Sequence, residues 1–522
     1  MIRAARWVAP GAALALILAA SVVPAARAER PAADPVLLWN DQTNRAIQAT
    51  NTDAFQASRA LALESVAVLD TVRSLAGAQG LMVRLPAPKD ARTEIAVASA
   101  AHTMLVRLFP ACQAALDAAF EASLTAEPST PARSRAIAFG EAVAEAVFAE
   151  RDRDGWRVAK TAPTGAAAGQ WRPTPPLQLP GLAPQWATMT PFLLTAPNQF
   201  RPPGPPALDS AAFHEATATV EAIGGAQSTV RASIQTEIAH YWSDAIGTYA
   251  PAGHWNAIAA TLLAPMGLNL EAEAELFAEL NVAMADAGIA IADAKYTYLF
   301  WRPVTVIRLG GDGSRPNPAW TPLLETPNHP SYISGHSAFS GAAAAVLTAR
   351  FGTRPFSFES ASVPGVTRKF ASFQQAAEEA AISRVYGGIH FPFDNADGLT
   401  TGRQVGAWTL SAFRRLADDR GPVIVMDGAA MRTLGTQSLA GYALDNTTPV
   451  TAVTVSLNGG PAFKVVVDER GRFVIPRHRV GSLGRRELLV TASSATGRVT
   501  TASLKLDDPA EDGIDTAPVT VK

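Results

Sequence analysis

A proline-containing segment, residues 328–334, leads into a run of small, helix-forming residues that begins at Gly335. Ser334 stands where a helix N-cap is expected, so several free backbone N–H groups would lie at the positive end of that helix. Gly335 would let the backbone approach an anion closely, and His336 supplies an imidazole that can carry a proton near neutral pH. The pattern favours an oxyanion site, although an ordinary capped helix with a chance histidine fits this segment equally well.

Two cations precede this helix on a stretch that is itself expected to be helical. Lys295 and Arg302 are seven residues apart, which on one continuous helix places them on the same face. Pro303 disfavours helix at Arg302 and is expected to end the element there. Burying two cations among the neighbouring aromatic residues would require an anion. The alternative is a solvated basic edge beside core aromatic side chains.

A third segment carries an arginine, a histidine and an aspartate. Arg384 offers a planar guanidinium that suits oxyanion oxygens. His390 can attack phosphorus or ligate a metal oxide, and Asp394 can orient an imidazole or simply cap the next helix. Gly387 and Gly388, which lie between them, are expected to end the preceding helix in a left-handed turn.

The elements that must position these groups are mostly helical. Apolar periodicity predicts helical structure over 36–124, 136–151, 211–249, 255–298 and 373–382. Residues 161–206 are rich in proline and tryptophan, so we expect a long irregular segment laid over the helices. His214, His240 and His254 lack metal-ligand spacing and are expected to be structural.

The composition changes after about Leu416. Short alternating segments predict strands over 453–457, 463–467, 473–476, 487–492 and 498–506. We expect these strands to form a small all-β, sandwich-like domain over 445–522, next to a helical domain over 29–435.

Residues 1–28 have the features of a secretory signal peptide. Arg3 and Arg6 precede an apolar run over 12–23, and Ala26-Arg27-Ala28 forms a cleavage site. We therefore expect an exported protein, periplasmic or extracellular. An uncleaved anchor is the alternative, but the apolar run is short for a bilayer span. No later uncharged run is long enough to span a membrane, so none is expected in the mature chain.

Charge and cysteine usage exclude two further classes. The 522 residues include 44 lysines and arginines against 46 aspartates and glutamates, with no basic stripe, which gives no support for nucleic-acid binding. Cys112 is the single cysteine, so the chain cannot form an intramolecular disulfide. The sequence does not indicate an oligomeric state.

The three chemistry-bearing segments resemble the signature of the type 2 phosphatidic acid phosphatase superfamily, which joins phosphatases to vanadium-dependent haloperoxidases. The resemblance rests on Lys295-x6-Arg302-Pro303, Ser334-Gly335-His336 and Ser383-Arg384-x5-His390-x3-Asp394. Tyr241-Trp242-x-Asp244 and Phe300-Trp301 further resemble the soluble vanadium chloroperoxidase branch. The similarity covers about residues 36–416 and leaves the β domain unexplained.

This resemblance implies a mainly α fold with two four-helix bundles and an anion bound between their ends. Vanadate or phosphate would be held by Lys295, Arg302, Ser334, Gly335, Arg384 and His390. His336 would be the acid–base group, and His390 the axial vanadium ligand or the nucleophile of a phosphatase. Asp394 would orient an imidazole, Asp244 would pair with an arginine of the cage, and Lys295 would polarise bound peroxide.

The implied activity is vanadate-dependent oxidation of halide by hydrogen peroxide to hypohalous acid, with an organic acceptor as a further partner. His329 occupies a halide-pocket position that is histidine in bromoperoxidase relatives, and Ala292 replaces a bulky tryptophan of the fungal chloroperoxidase type. Bromide or iodide is therefore expected rather than chloride. The alternative is a secreted acid phosphatase that hydrolyses phosphate monoesters through a phosphohistidine at His390. A binding protein with a working β domain is a third possibility.

Overall fold

The computed structural model describes residues 34–125, 127–311, 313–415, 423–426, 439–444, 450–468, 472–476, 479, 486–495, 499–506 and 520–521. The predicted signal peptide lies outside these residues. Over 34–415 the chain is largely helical, as predicted. The helices are α1 (Pro35–Ala49), α2 (Ala54–Leu75), α3 (Thr93–Leu108), α4 (Gln113–Leu124), α5 (Pro131–Arg151), α6 (Ala211–Gly224), α7 (Ser233–Tyr241), α8 (Ala250–Leu263), α9 (Leu270–Tyr298), α10 (Pro303–Leu309), α11 (Gly335–Phe351), α12 (Phe373–Tyr386) and α13 (Pro392–Arg415).

Helix α9 is the central element of the helical core. It runs for 29 residues and is buried along most of its length, which is why its sequence is apolar around its whole circumference. It packs against α2 on one side and against α11 and α13 on the other. Asn269 begins the helix by accepting a hydrogen bond from the backbone N–H of Ala272. The last turn of α9 therefore begins within the helical core.

Helices α11 and α13 approach each other unusually closely. Gly398, Gly402 and Gly406 recur every four residues on the face of α13 that meets α11. A Cβ atom at Gly402 would lie 2.1 Å from the carbonyl oxygen of Ala338, so no larger residue fits there. This contact sets the start of α13 beside the start of α11, where the candidate site lies.

One predicted element differs from the structure. Lys295 and Arg302 do not share a helix, because α9 ends at Tyr298 and Leu299 takes a left-handed conformation with φ of 49°. Pro303 does not end a helix at Arg302; it is the first residue of α10, where its missing N–H costs nothing. Other local predictions are confirmed: Ser334 is the N-cap residue of α11, and Gly388 has a positive φ of 77° after α12.

The segment 161–206 is irregular, as predicted, apart from a short 3₁₀-helix, Pro184–Thr188. It is fastened to α9 by buried polar contacts. The Asp286 carboxylate accepts the backbone N–H groups of three successive residues, Phe192, Leu193 and Leu194. Arg201 forms a two-pronged ion pair with Asp293, with both N–O distances at 2.6 Å. The segment is thus held on the helical body at several points.

The described strands form three antiparallel sheets. A two-stranded hairpin, β1 (Phe356–Glu359) with β2 (Thr367–Phe370), precedes α12 and was not predicted. The C-terminal strands are β3 (Val423–Met426), β4 (Leu439–Leu444), β5 (Val450–Leu457), β6 (Phe463–Val465), β7 (Arg472–Ile475), β8 (Arg486–Ser494), β9 (Val499–Leu506) and β10 (Thr520–Val521). They are ordered β10-β9-β8-β5-β6 and β3-β4-β7. The five predicted strands are confirmed, and β3, β4 and β10 were missed.

The C-terminal strands have a hydrophobic core of their own. Inward-facing residues of four strands form it, namely Leu439, Ala443, Val453, Val455, Phe473, Ile475, Leu488, Val490 and Ala492. This agrees with the predicted small all-β part. The exact boundaries of the two domains remain predictions.

Within the described residues, no single helix has the length and apolar character needed to cross a bilayer. One bent pair, Thr93–Leu108 with Pro110–Leu124, meets the criterion only when its two halves are taken together, and the angle between them is 117°.

Candidate active site

Most of the predicted site residues line one cavity of about 380 Å³. Lys295 comes from the last turn of α9, Gly335 and His336 from the first turn of α11, Arg384 from the last turn of α12, and His390 from the loop before α13. Helix ends therefore supply most of its polar wall, which is the geometry that favours an anion at the N-terminus of α11. Arg302 reaches the same place from the link between α9 and α10.

His390 is held by hydrogen bonds on both ring nitrogens. Its Nδ1 lies 2.8 Å from Asp394 Oδ2, and its Nε2 lies 3.1 Å from Nη1 of Arg302. Because a guanidinium can only donate, Nε2 accepts the hydrogen bond from Arg302. Nδ1 therefore carries the ring proton and donates a hydrogen bond to Asp394. Burial, followed by Arg302 and Lys295, holds the pKa of His390 well below its usual value. The ring is thus neutral and presents the Nε2 lone pair to the cationic side of the site.

The Asp394 carboxylate is fully buried and accepts several hydrogen bonds. Its Oδ2 accepts the Ser331 hydroxyl at 2.5 Å and the Phe391 N–H at 3.1 Å, besides the His390 ring. Burial raises the pKa of this carboxyl to about 6, while the two donors and Lys295 oppose the rise. Ser331 was not predicted as a site residue, and only its position between two motifs could have suggested it.

Lys295 is completely buried and has no carboxylate partner within ion-pair distance in the described part of the chain. Its Nζ donates to the carbonyl oxygens of Pro330, Ser331 and Ile333 at 2.7, 3.0 and 2.6 Å. Burial and, after it, the nearby Arg302 lower the pKa of the ammonium well below its usual value. The segment before α11 is therefore tied to the end of α9 through this one side chain.

The two arginines are also buried and donate mostly to backbone oxygens. Arg302 bonds the carbonyls of His329 and Ile389 at 2.8 and 2.7 Å, and burial lowers its pKa to about 9. Arg384 donates to the carbonyl of Ala239 at 3.2 Å, and burial lowers its pKa to about 10. Carbonyl dipoles compensate these charges only in part, so the site favours a bound anion.

The start of α11 carries polar groups that line the cavity or lie next to it. Nε2 of His336 is buried and has no hydrogen-bond partner among the residues that the structure describes. Burial and, next, Arg384 lower the pKa of this imidazole to about 3. A Cβ atom at Gly335 would meet no atom within 4 Å, which leaves open space beside its N–H. Ser334 Oγ lies 2.9 Å from Ser337 Oγ, which is also 3.1 Å from Asn395 Oδ1.

The predicted ion pair between Asp244 and an arginine of the site is not formed: neither Arg302 nor Arg384 lies within ion-pair distance of this carboxylate. Its Oδ1 lies 2.9 Å from Nδ1 of His254, and its Oδ2 lies 3.9 Å from Nε2 of His336. Although burial raises the pKa of this carboxyl, its interactions with His254, His336 and Arg384 outweigh burial and the net pKa is lowered. Arg384 thus acts on Asp244 only at longer range. His254, expected to be merely structural, stands directly behind this carboxylate.

His329 lines the cavity, as the halide-pocket prediction requires. Its Nδ1 lies 2.9 Å from Nη2 of Arg302, which makes Nδ1 an acceptor and places the ring proton on Nε2. Burial, then Lys295 and Arg302, hold the pKa of this ring well below its usual value. The ring meets Phe55 edge to face at 6.1 Å. Ala292 is not in the cavity wall; its neighbour Ile291 is.

These features define the class of protein: a helical-bundle protein whose helix ends bring three buried cations and one fixed histidine together at a cavity suited to an oxyanion. The family model of the VCPO second helical-bundle domain matches residues 275–419, which contain all three cations and His390.

Known relatives place this class within one family. A solved structure titled the first bacterial vanadium-dependent iodoperoxidase is 30% identical, with a TM-score of 0.64, and the alignment covers 72% of this chain and 95% of that one. Vanadium chloroperoxidase of Curvularia inaequalis is 30% identical over 253 residues, which are 36% of this chain and 41% of the relative. A holo-type bacterial vanadium-dependent chloroperoxidase shares the fold at 18% identity and a TM-score of 0.56, covering 70% of this chain and 94% of that one.

The chain belongs to the vanadium-dependent haloperoxidase family. The mainly helical fold expected from the sequence is the fold of this family. The chain spans about two fifths of the length of the fungal relative and nearly all of the bacterial iodoperoxidase.

Proposed function

We propose that this protein binds vanadate at His390 and uses hydrogen peroxide to oxidise bromide or iodide to hypohalous acid. One observation carries the proposal. Asp394 fixes the His390 ring through Nδ1 at 2.8 Å, while the Nε2 lone pair faces Arg302 beside Lys295 and Arg384. An imidazole held in this way can ligate a high-valent metal oxide whose negative oxygens the cations neutralise.

The residues fit vanadate. One bound oxyanion would compensate the three buried cations, whose pKa values are lowered. It would also give a partner to the unpartnered imidazole nitrogen of His336. The Gly335 N–H and the Ser334 hydroxyl add neutral donors at the positive end of α11. Bound vanadate supplies a Lewis acid that activates peroxide without a change of its own oxidation state.

The protein residues would divide the remaining work. Lys295 would stabilise negative charge that develops on peroxide oxygen, since its ammonium is buried and pre-oriented. His336 would hold or release a proton at Nε2, the nitrogen that has no partner within the described chain. Asp244, whose Oδ2 lies 3.9 Å from that nitrogen, would position the imidazole, and His254 would hold Asp244 in place.

Halide preference is proposed from the cavity wall. His329 is neutral in the structure, and Phe55, Ile291 and Phe339 make the neighbouring wall apolar. Large, polarisable and weakly hydrated halides lose less hydration energy than chloride when they enter such a wall. The 30% identical bacterial relative is titled an iodoperoxidase, which supports the same preference.

The deciding experiment is halogenation of an activated diketone by protein loaded with vanadate, with peroxide and each halide in turn. We expect turnover with iodide and bromide and much less with chloride. His390→Ala should abolish it, and His240→Ala, at an exposed histidine of α7, should not. If the protein instead hydrolyses a chromogenic phosphate monoester and vanadate inhibits that hydrolysis, the acid phosphatase alternative replaces the proposal.

Export is proposed from residues 1–28 alone. The mature protein, recovered from cells that express the full chain, should begin at Glu29 and lie outside the cytoplasm. Mass spectrometry of its N-terminal peptide tests this. A chain that keeps Met1 in the cytoplasm would contradict it.

A further inference from the structure

The carboxylate of Asp244 lies between the cavity and the loop that joins β1 to β2. On the cavity side, its Oδ2 lies 3.9 Å from Nε2 of His336. On the other side, its Oδ1 lies 2.9 Å from Nδ1 of His254 and accepts a hydrogen bond from Oγ of Ser362 at 3.3 Å. One oxygen thus faces the proposed acid–base histidine, and the other contacts the hairpin loop.

Ser362 connects this carboxylate to the outside of the protein. It is half-buried and does not line the cavity, so its exposed part faces solvent elsewhere. Its Oγ accepts the Asp244 N–H at 3.1 Å and donates its own hydrogen to Oδ1. Because a hydroxyl oxygen has two lone pairs, one remains for a water molecule.

The loop holds Ser362 in this place through hydrogen bonds of its own. The Ser362 N–H donates to Ser360 Oγ at 3.1 Å, and that hydroxyl donates to the Tyr241 carbonyl at 2.6 Å. The Ala361 N–H donates to the Tyr249 hydroxyl at 3.2 Å. The contact between the hydroxyl and the carboxylate therefore belongs to a fixed loop conformation.

His254, the other neighbour of the carboxylate, offers no route to solvent. It is completely buried, its ring stacks on Trp242 at 4.6 Å, and it meets the Phe358 ring at 5.2 Å. Its Nε2 has no hydrogen-bond partner among the described residues. His254 therefore orients the carboxylate, and Ser362 is the contact that leads outward.

The surroundings of Asp244 keep its carboxyl ionised. Burial raises its pKa, but His254 and then His336 and Arg384 oppose burial, and the net pKa is lowered. The titratable and charged groups that act on it from the surrounding elements are His254, His336, Arg384, Tyr241 and Tyr249. An ionised carboxylate between a hydroxyl and an imidazole can accept a proton from one and pass it to the other. A shift of the His336 ring by about 1 Å would bring its Nε2 within hydrogen-bond distance.

We propose that Ser362 and Asp244 form a proton path that recharges His336 from solvent on the hairpin side, separately from the cavity that receives halide and peroxide. This inference rests on the proposed function. Peroxide, halide and one proton give hypohalous acid and water, with halide oxidised by two electrons and peroxide reduced. His336 gives that proton and regains one from Asp244. Ser362 passes its hydroxyl hydrogen to Asp244 as it accepts another from water, so each turnover takes up one solvent proton.

The pH dependence of turnover tests the path. Ser362→Ala should lower kcat for iodide oxidation about tenfold at about pH 8, with KM for iodide and peroxide within about twofold of wild type. The ratio of wild-type to variant kcat should increase with pH, because proton supply limits turnover as protons become scarce. Ser362→Thr keeps the hydroxyl and should restore kcat. Ser357→Ala, at an exposed serine of β1, is the matched control.

A small buffer acid separates lost proton supply from a structural fault. Increasing concentrations of imidazole buffer should raise kcat of Ser362→Ala but not of wild type or Ser357→Ala, since a diffusing acid can reach His336 through the cavity. A loss of kcat that is equal at every pH and is not relieved by buffer would overturn the proposal. Superimposable pH profiles for wild type and Ser362→Ala would overturn it as well.

Proton exchange tests the path without vanadate or turnover. The Nδ1 proton of His254 contacts Asp244 on the side away from the cavity, so it reports on the path alone. Nuclear magnetic resonance of the full protein, labelled with ¹⁵N-histidine, measures the exchange of this proton with water. Ser362→Ala should slow the exchange at least about threefold. Equal exchange rates in the two proteins would contradict the path.

The two proposals fail separately. Wild-type protein that oxidises no halide after vanadate loading defeats the proposed function, whatever the exchange rates are. Wild-type protein that oxidises iodide, with a pH profile and a His254 exchange rate that Ser362→Ala leaves in place, defeats the proton path only.

Discussion

Two buried polar clusters lie along α9, one near its middle and one at its end, and they are built on opposite principles. The middle cluster joins four neutral side chains from four helices. Asn40 Nδ2 bonds Asn256 Oδ1 at 2.7 Å, Asn256 Nδ2 bonds Asn281 Oδ1 at 2.6 Å, and Asn281 Nδ2 bonds Ser65 Oγ at 2.7 Å. The end cluster is the cage, with three buried cations and histidines whose pKa values are lowered by burial.

The two clusters have different roles. The amide network satisfies itself with protein groups, so it stabilises and specifies the packing of α1, α2, α8 and α9. The cage leaves Nε2 of His336 and Oδ1 of Asp394 without partners in the described chain and crowds like charges together. Such an arrangement costs stability until a ligand completes it, which is typical of a functional site.

The largest expected effect is on activity, and it comes from a substitution in the cage. His390→Ala should lower halide oxidation by about a thousandfold or more, because it removes the proposed ligand of the oxyanion. The kcat/KM for iodide after vanadate loading is the measurement. His240→Ala is the control at an exposed histidine of α7. If the His390 variant keeps a tenth of wild-type activity, His390 does not hold the reacting centre.

The next largest effect is on the free energy of unfolding, and it comes from a substitution in the amide network. Asn281→Ala should lower the free energy of unfolding by about 2 kcal/mol, since Asn256 and Ser65 then keep buried groups without their partner. Urea denaturation measures this. Thr261→Ala, at an exposed position of α8, should change it by less than about 0.5 kcal/mol. Activity of the folded Asn281 variant should stay within about twofold of wild type; a larger loss would mean that the network also positions the cage.

A third effect concerns the proton balance of the cage. Burial and Arg384 lower the pKa of His336 to about 3, with Asp244 opposing and His254 adding to the lowering, so the ring is neutral at pH 7. A bound oxyanion would raise this pKa. Binding would then take up a proton, and vanadate affinity should fall as pH rises between the free and bound pKa values.

His336→Gln isolates that proton, because the titration of vanadate itself is common to both proteins. The ratio of wild-type to variant affinity, measured by equilibrium dialysis, should fall by about tenfold as pH rises through this window. A ratio that stays constant as pH rises from about 3, the pKa of the free His336 ring, would show that His336 does not take up the proton.

The smallest effect concerns the support of His390. Ser331→Ala removes a donor that lowers the pKa of Asp394, so this carboxyl should hold its proton to a higher pH. Loss of activity on the acid side should then begin roughly half a pH unit higher than in wild type. Ser65→Ala is the counterpart in the amide network and should leave the pH profile in place. Identical acid limbs for wild type and Ser331→Ala would contradict the role of Ser331.

Much of the fold and cage could be predicted from the sequence because their signals are local. Apolar periodicity identifies the helices, and Ser334 and Gly388 mark the ends of α11 and α12. The prediction that Lys295 and Arg302 share one helix was wrong, because a proline that begins a helix and a proline that follows one look alike in a single sequence. The strands β1 and β2 are too short for a period-two pattern to stand out.

The remaining site features depend on long-range packing. The bond between Asp244 and His254 crosses the turn between α7 and α8, and no residue spacing encodes it. Ser331 reaches Asp394 across 63 positions of the chain. Ile291 lines the cavity and the predicted Ala292 does not, because the rotation of α9 about its own axis decides which residue faces the cavity. Such details follow from how the helices dock, and a local pattern contains no information on docking.

A crystal structure of protein soaked in orthovanadate tests whether His390 holds vanadate within the cage. We expect one oxyanion per chain, bonded to Nε2 of His390 and contacted by Lys295, Arg302 and Arg384. Vanadium bound through a different residue, or a cavity that stays free of the oxyanion at saturating vanadate, would contradict it.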